Sequence, residues 1–208
     1  MLTLYYAPMT RATRIMTLIE DLGVADKIDT RLVTIPRIDG SGRRDAANPH
    51  PEGKVPFLIH DGAEIRESNA IALYLTELFP DAGLGRPIGH PERGPLLSWL
   101  AWYGDVVEPL VVMKVAEVTS PLVHATWRGI PEVHARIDEA LADGREFLLK
   151  GGYSIADLIV SSTFAWAPAL APTSERAKAW FARCQARPAV QKVWEREVEM
   201  QKAQATAA

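Results

Sequence analysis

The stretch Pro56-Phe57-Leu58-Ile59-His60, Asp61-Gly62, Ala63-Glu64-Ile65-Arg66 admits few structures. Two short β-prone runs flank a dipeptide that accepts the positive φ of a type I′ turn, so a tight β-hairpin is expected. Upstream, Leu2 to Tyr6 reads as a short buried strand closed by Pro8. A helix follows on Ile15, Leu18, Ile19 and Leu22, with Thr10 or Thr13 as its cap and Gly23 as its left-handed stop. Thr30 to Ile35 reads as a second strand, and a long loop rich in Gly, Arg, Asn and Pro runs on to Gly53. After the hairpin, Ser68 is expected to cap a helix striped by Ile71, Leu75, Leu78 and Phe79 that ends at Pro80.

Residues 81–92 carry glycine and proline without periodicity and read as a linker. Beyond it the strand signal vanishes. Helices are expected near Leu96 to Val118, Pro131 to Leu149, Ser154 to Trp166, Ser174 to Ala186 and Pro188 to Met200. The expected architecture is α/β plus all-α, with an amino-terminal domain over 1–80 and a helical-bundle domain over 93–208. The chain has 208 residues, 48% hydrophobic and 24% charged, enough to bury a core. A net charge of -3 argues against a nucleic-acid surface. The apolar stretches are interrupted by Lys114 and Glu117, or by Ser161, Ser162 and Pro168, so no membrane span is expected. One cysteine, Cys184, excludes an intrachain disulfide and fits a reducing cytoplasm. The five histidines lack metal-ligand spacing, and no metal is expected.

The most informative chemistry lies in Gly53-Lys54-Val55-Pro56-Phe57-Leu58 and, past the hairpin, Arg66-Glu67-Ser68-Asn69. Pro56 before a strand cannot donate to the ladder, and a cis Val55-Pro56 bond would turn the Val55 N–H and C=O outward. Those groups suit an extended peptide lying as an added strand. Beside them, Glu67-Ser68 opens a helix whose first N–H groups favour a carboxylate, while the Glu67 side chain can accept an α-ammonium. Glutathione offers both an amino-acid head group and a peptide backbone.

This run resembles the glutathione-binding half of the cytosolic glutathione transferases, whose thioredoxin-like domain has a Val-Pro turn and an acidic-Ser pair opening a helix. In the second half, Ser154-Ile155-Ala156-Asp157 resembles the family's S-x-A-D box and Arg187-Pro188-Ala189-Val190 its late R-P-x-V motif, so the likeness spans nearly the whole chain. The box is also a capping box in its own right, with Tyr153 expected to pack on Leu158. The resemblance implies a thioredoxin-like domain ahead of the helical one, glutathione as co-substrate, a hydrophobic electrophile as second substrate, and a homodimer. It places glutathione on Val55, Pro56, Glu67, Ser68, Lys54 and Arg11, and the second substrate near Tyr103 and Val106. Arg43 and Arg44 are further partners for its glycyl carboxylate.

Activity requires a stabilised thiolate. Lowering a thiol pKa from about 8.5 by about 2 units takes about 2.7 kcal/mol, which one hydrogen bond to the charged sulfur can supply. Thr10-Arg11-Ala12-Thr13-Arg14 resembles the S-x-x-S-R pattern of the serine-type members and makes Thr10 the first candidate donor. Threonine stands there where the pattern has serine, and its extra methyl stiffens χ1. An alignment on Tyr6-Ala7-Pro8 resembles the tyrosine-type members and makes Tyr6 the second candidate; Arg11 or a backbone N–H remain open. A glutathione-binding protein with little turnover, or a glutathione-dependent isomerase or peroxidase, are the alternatives. Cys184 shares helical spacing with Ala177, Trp180 and Phe181 and reads as a buried small hydrophobe.

Overall fold

A computed structural model describes residues 1–207. They form two compact units, one of Met1–Ala82 together with the chain from Pro188, the other Gly83–Arg187. The first unit holds a four-stranded sheet of order β2-β1-β3-β4, with β1 (Leu2–Tyr6), β2 (Ile28–Leu32), β3 (Phe57–His60) and β4 (Ala63–Ile65). β2 runs parallel to β1 after the crossover helix α1 (Thr13–Leu22), and β3 is antiparallel to both β1 and β4. This is the thioredoxin-like arrangement. The hairpin turn forms as expected, with Asp61 and Gly62 at φ 49° and 87°. β2 lies two to three residues earlier than periodicity suggested.

Local signals set α1 at one end only. Gly23, at φ 67°, ends the helix with its N–H on the Glu20 carbonyl. At the start the cap is Ala12, with no side-chain bond, so neither Thr10 nor Thr13 acts as the expected cap. α2 (Ser68–Leu78) likewise has Glu67, not Ser68, at its cap position. Its Ile71 and Leu75, with Ile15, Leu18 and Ile19 of α1 and Leu4, Phe57 and Leu58 of the sheet, are fully buried.

The expected boundaries of 1–80, 81–92 and 93–208 need one correction. The last helix, α9 (Pro188–Ala207), packs along α1 and completes the first unit. Ala189 and Val193 are buried, while Lys192 and Arg196 reach the Glu20 carboxylate at 2.7 and 3.5 Å.

The second unit is helical: α3 (Arg93–Trp102), α4 (Glu108–Val115), α5 (Pro121–Trp127), α6 (Ile130–Ala140), α7 (Ile155–Trp166) and α8 (Glu175–Gln185). A π-helical turn, Tyr103–Val107, joins α3 to α4. The joined stretch Arg93–Val115 is long and apolar enough to cross a membrane by length and composition. It carries Arg93, Asp105, Glu108 and Lys114, and its Leu96, Leu100, Tyr103, Val107 and Leu110 are buried in the unit's core. We read it as a core helix. Ser154 and Asp157 form the expected capping box at the start of α7. The Tyr153 ring stands against Phe147, 5.5 Å between centroids, and under the Arg187 guanidinium at 3.7 Å.

Candidate functional site

Strand register gathers the sequence candidates at one end of the sheet. Tyr5 stands opposite Phe57 and Leu58 opposite Ile65, so the end of β1, the start of β3 and the end of β4 coincide. Three segments leave from there: Ala7 to Ala12 after β1, Val55-Pro56 before β3, and Arg66 to Ser68 after β4. β2 ends beside Tyr6, with the Val33 N–H on the Tyr6 carbonyl, so the 33–53 segment starts at the same edge.

Val55-Pro56 is a cis peptide and both residues are buried. Among the described residues, neither the N–H nor the C=O of Val55 has a hydrogen-bond partner. Two buried neighbours escaped the sequence reading. Asn48 donates its side-chain amide to the Lys54 carbonyl at 3.1 Å and accepts the His50 N–H through Oδ1, which holds the segment leading into Val55. His50 lies edge-on to Phe57, 5.0 Å between centroids, and accepts the Glu52 N–H at Nδ1. Burial and the Arg66 charge push its pKa down, so it stays neutral at pH 7. The only sequence signal for either residue was an Asn and a His inside an otherwise exposed loop.

Glu67 sits at φ 68°, a left-handed conformation costly for a side chain of that size, and the first N–H groups of α2 follow it. Strain of this kind, about 1 to 3 kcal/mol, persists where the surroundings impose it, and functional sites are where it collects. The Lys54 ammonium pairs with Glu52 at 2.5 Å, which raises its pKa; the Glu67 carboxylate adds to that effect and the Arg11 guanidinium opposes it. Lys54, Glu67 and Arg11 therefore share one neighbourhood. Arg44, by contrast, donates to the Pro51 carbonyl, and Arg43 is exposed on the loop.

The two candidate thiol donors differ sharply. Thr10 is half-buried in the turn between β1 and α1; its hydroxyl donates to the Ala7 carbonyl at 2.7 Å and accepts the Ala12 N–H at 3.1 Å. Tyr6 is buried with its hydroxyl on the Met200 sulfur at 3.9 Å, and burial raises its pKa. Its oxygen faces α9, as a core tyrosine does.

In the second unit Tyr103 is buried; its hydroxyl accepts from Thr163 at 3.0 Å and donates to the Glu108 carboxylate. Val106 instead lines a cleft of about 260 Å³ with Trp102, Trp127, Val133 and Glu139, where the Arg136 guanidinium stacks 4.5 Å from the Trp102 ring. Trp127 is fixed there by donating Nε1–H to the Asp105 carbonyl at 2.8 Å. Cys184 is buried, and burial pushes its thiol pKa far up. A thiol reagent should therefore leave the native protein unlabelled at neutral pH and react once on denaturation. Rapid labelling of the native state would contradict this burial.

Residues 4–86 match the family model of the glutathione S-transferase N-terminal domain. Protein LigF of Sphingobium is 26% identical over 198 residues, covering 71% of this chain and 76% of that protein. A probable glutathione S-transferase of rice is 27% identical over 134 residues, covering 60% of this chain and 56% of the rice protein. Among solved structures, a glutathione transferase from Methylococcus capsulatus is 28% identical with a TM-score of 0.72, over 95% of this chain and 98% of that one. A sphingomonad glutathione S-transferase, solved in complex with glutathione, is 25% identical with a TM-score of 0.72, over 94% and 98%. The chain thus carries the glutathione S-transferase N-terminal domain and, throughout, the fold of that superfamily.

Proposed function

We propose that this protein is a glutathione transferase in which Thr10 stabilises the glutathione thiolate for addition to a hydrophobic electrophile. The observation that carries the reading is the unpaired main chain of Val55 at the sheet end shared by the Thr10 turn and the start of α2. Laid along Val55, the tripeptide gains two backbone hydrogen bonds, as an added strand does. Its glutamyl carboxylate meets the first N–H groups of α2 and its ammonium meets Glu67. Thr10 keeps the Ala12 N–H on its oxygen while its proton turns from the Ala7 carbonyl to the sulfur; accepting one hydrogen bond strengthens the hydroxyl as donor of the next. Arg11 and Lys54 add positive charge nearby. The homodimer and the cytoplasmic setting belong to the same proposal, by likeness to the family.

A second reading has its own support. The Thr10 proton is already held by the Ala7 carbonyl, and the threonine methyl restricts its turning, which favours glutathione binding with little turnover. Chlorodinitrobenzene conjugation decides between them: measurable kcat supports the transferase, and retention on immobilised glutathione without conjugation supports the binding protein. Failure of both refutes the glutathione site. Within the transferase reading, Ser68→Ala and Glu67→Gln should each raise KM for glutathione about tenfold with kcat little changed, since each removes about 1.4 kcal/mol of binding shared by ground and transition states.

A further inference from the structure

We infer that Glu197, on the last helix, is a positioning residue that holds the thiol-activating turn in its working shape. It lies 188 residues from the turn in sequence yet is fully buried against it. One carboxylate oxygen, Oε2, accepts the Met9 N–H at 2.6 Å and the Thr13 hydroxyl at 2.7 Å. Thr13 in turn accepts the Thr10 N–H at 3.3 Å. A single side chain thus holds two successive N–H groups of the turn, that of Met9 directly and that of Thr10 through the Thr13 hydroxyl.

The turn needs such a clamp. Met9 stands at φ 54°, a conformation a methionine does not keep unless held. From the other side the Arg37 guanidinium donates to the Pro8 carbonyl at 2.9 Å, next to the residue Glu197 holds. The cap position of α1, Ala12, makes no side-chain bond, and Thr13, the first residue of the helix, holds the Thr10 N–H while its own hydroxyl is held by Glu197. A buried carboxylate costs folding energy, and the second oxygen of Glu197 has no hydrogen-bond partner among the described residues. Burial pushes its pKa up, against the Met9 and Thr13 hydrogen bonds and the Arg196 and Arg37 charges, which lower it. A helix that needed only to pack would carry an apolar residue there.

The inference rests on the thiol-activating role proposed for Thr10, and its test separates the two. Glu197→Ala removes both acceptor contacts, Glu197→Gln keeps an oxygen that can accept both, and Thr13→Val cuts only the branch to Thr10. In ligand-free protein, amide exchange at Met9 and Thr10 should quicken at least about tenfold in Glu197→Ala relative to the core of β1. With glutathione bound, the thiolate absorbance should titrate about one pKa unit higher, and kcat for chlorodinitrobenzene should fall about tenfold, with KM for glutathione within about twofold of wild type. Glu197→Gln should recover most of this, and Thr13→Val should show a smaller loss of the same kind. A Glu197→Ala protein that melts earlier but keeps the wild-type thiol pKa and kcat overturns the positioning role while leaving the function standing. A wild-type protein that never acidifies bound glutathione overturns both. Should Glu197→Ala fail to fold, the thiol pKa in Thr13→Val decides, and a wild-type value there would refute the inference.

Discussion

Asp157→Ala should cost at least about 3 kcal/mol of stability, read as a lower urea midpoint and melting temperature. The carboxylate is fully buried and receives four donors: the Leu148 N–H at 2.8 Å and Trp180 Nε1–H at 2.9 Å on one oxygen, the Ser154 N–H at 3.0 Å and its hydroxyl at 3.2 Å on the other. Alanine strands three of them that cannot turn elsewhere, at about 1 kcal/mol or more each, and opens a void beside Trp180. Natural domains hold only about 5 to 15 kcal/mol in total, so the variant should populate unfolded forms near physiological temperature. Asp157→Asn should lose less, because its amide oxygen still serves one pair of donors. Burial already raises the carboxyl pKa, so the effect is that of stranded partners and not of a lost surface charge. An Asp157→Ala protein as stable as wild type would show that the network closes around water at no cost.

Thr10→Val should lower kcat about ten- to a hundredfold and raise the pKa of bound glutathione by about one to two units, with KM little affected. Valine matches threonine in shape but has a methyl in place of the hydroxyl, so the hydrogen bond to a charged sulfur, about 1.5 to 3 kcal/mol, disappears together with the acceptor of the Ala12 N–H. Thr10→Ser should match or exceed wild type, because losing the methyl frees the hydroxyl to leave the Ala7 carbonyl. Tyr6→Phe is the control: its hydroxyl faces Met200, and catalysis should hardly change. Normal activity in Thr10→Val together with loss in Tyr6→Phe would reverse the assignment of the donor.

What could be read from the chain alone was what neighbours in sequence decide. Asp61-Gly62 allows a turn with two positive φ angles, Gly23 stops a helix, and Ser154 and Asp157 cap one three residues apart. The three candidate segments were legible for the same reason, each a local pattern, and register then brings them to one edge. Periodicity could show that α9 has an apolar face, but not which surface Ala189 and Val193 would meet. Glu197 was invisible for that reason, since its partners lie at positions 9 and 13. Tyr103 was misleading in the opposite sense: an aromatic on an apolar helix suits a substrate pocket or a core, and only Thr163, sixty residues away, decides for the core. The π turn at Tyr103–Val107 and the end of α6 at Ala140, before the Asp143-Gly144 turn, also lay below the resolution of an apolar stripe.

That the sheet unit is closed by α9 bears on how the molecule is made. A ribosome delivers all four strands early and the whole helical unit next, before the helix that seals α1 emerges. Until then the turn around Thr10 lacks its carboxylate anchor, and a nascent or clipped chain ending before Pro188 would leave the Met9 N–H and the Thr13 hydroxyl without the acceptor they have in the whole chain. If Thr10 activates a thiol as proposed, that chemistry becomes available only after synthesis has passed through the entire second unit.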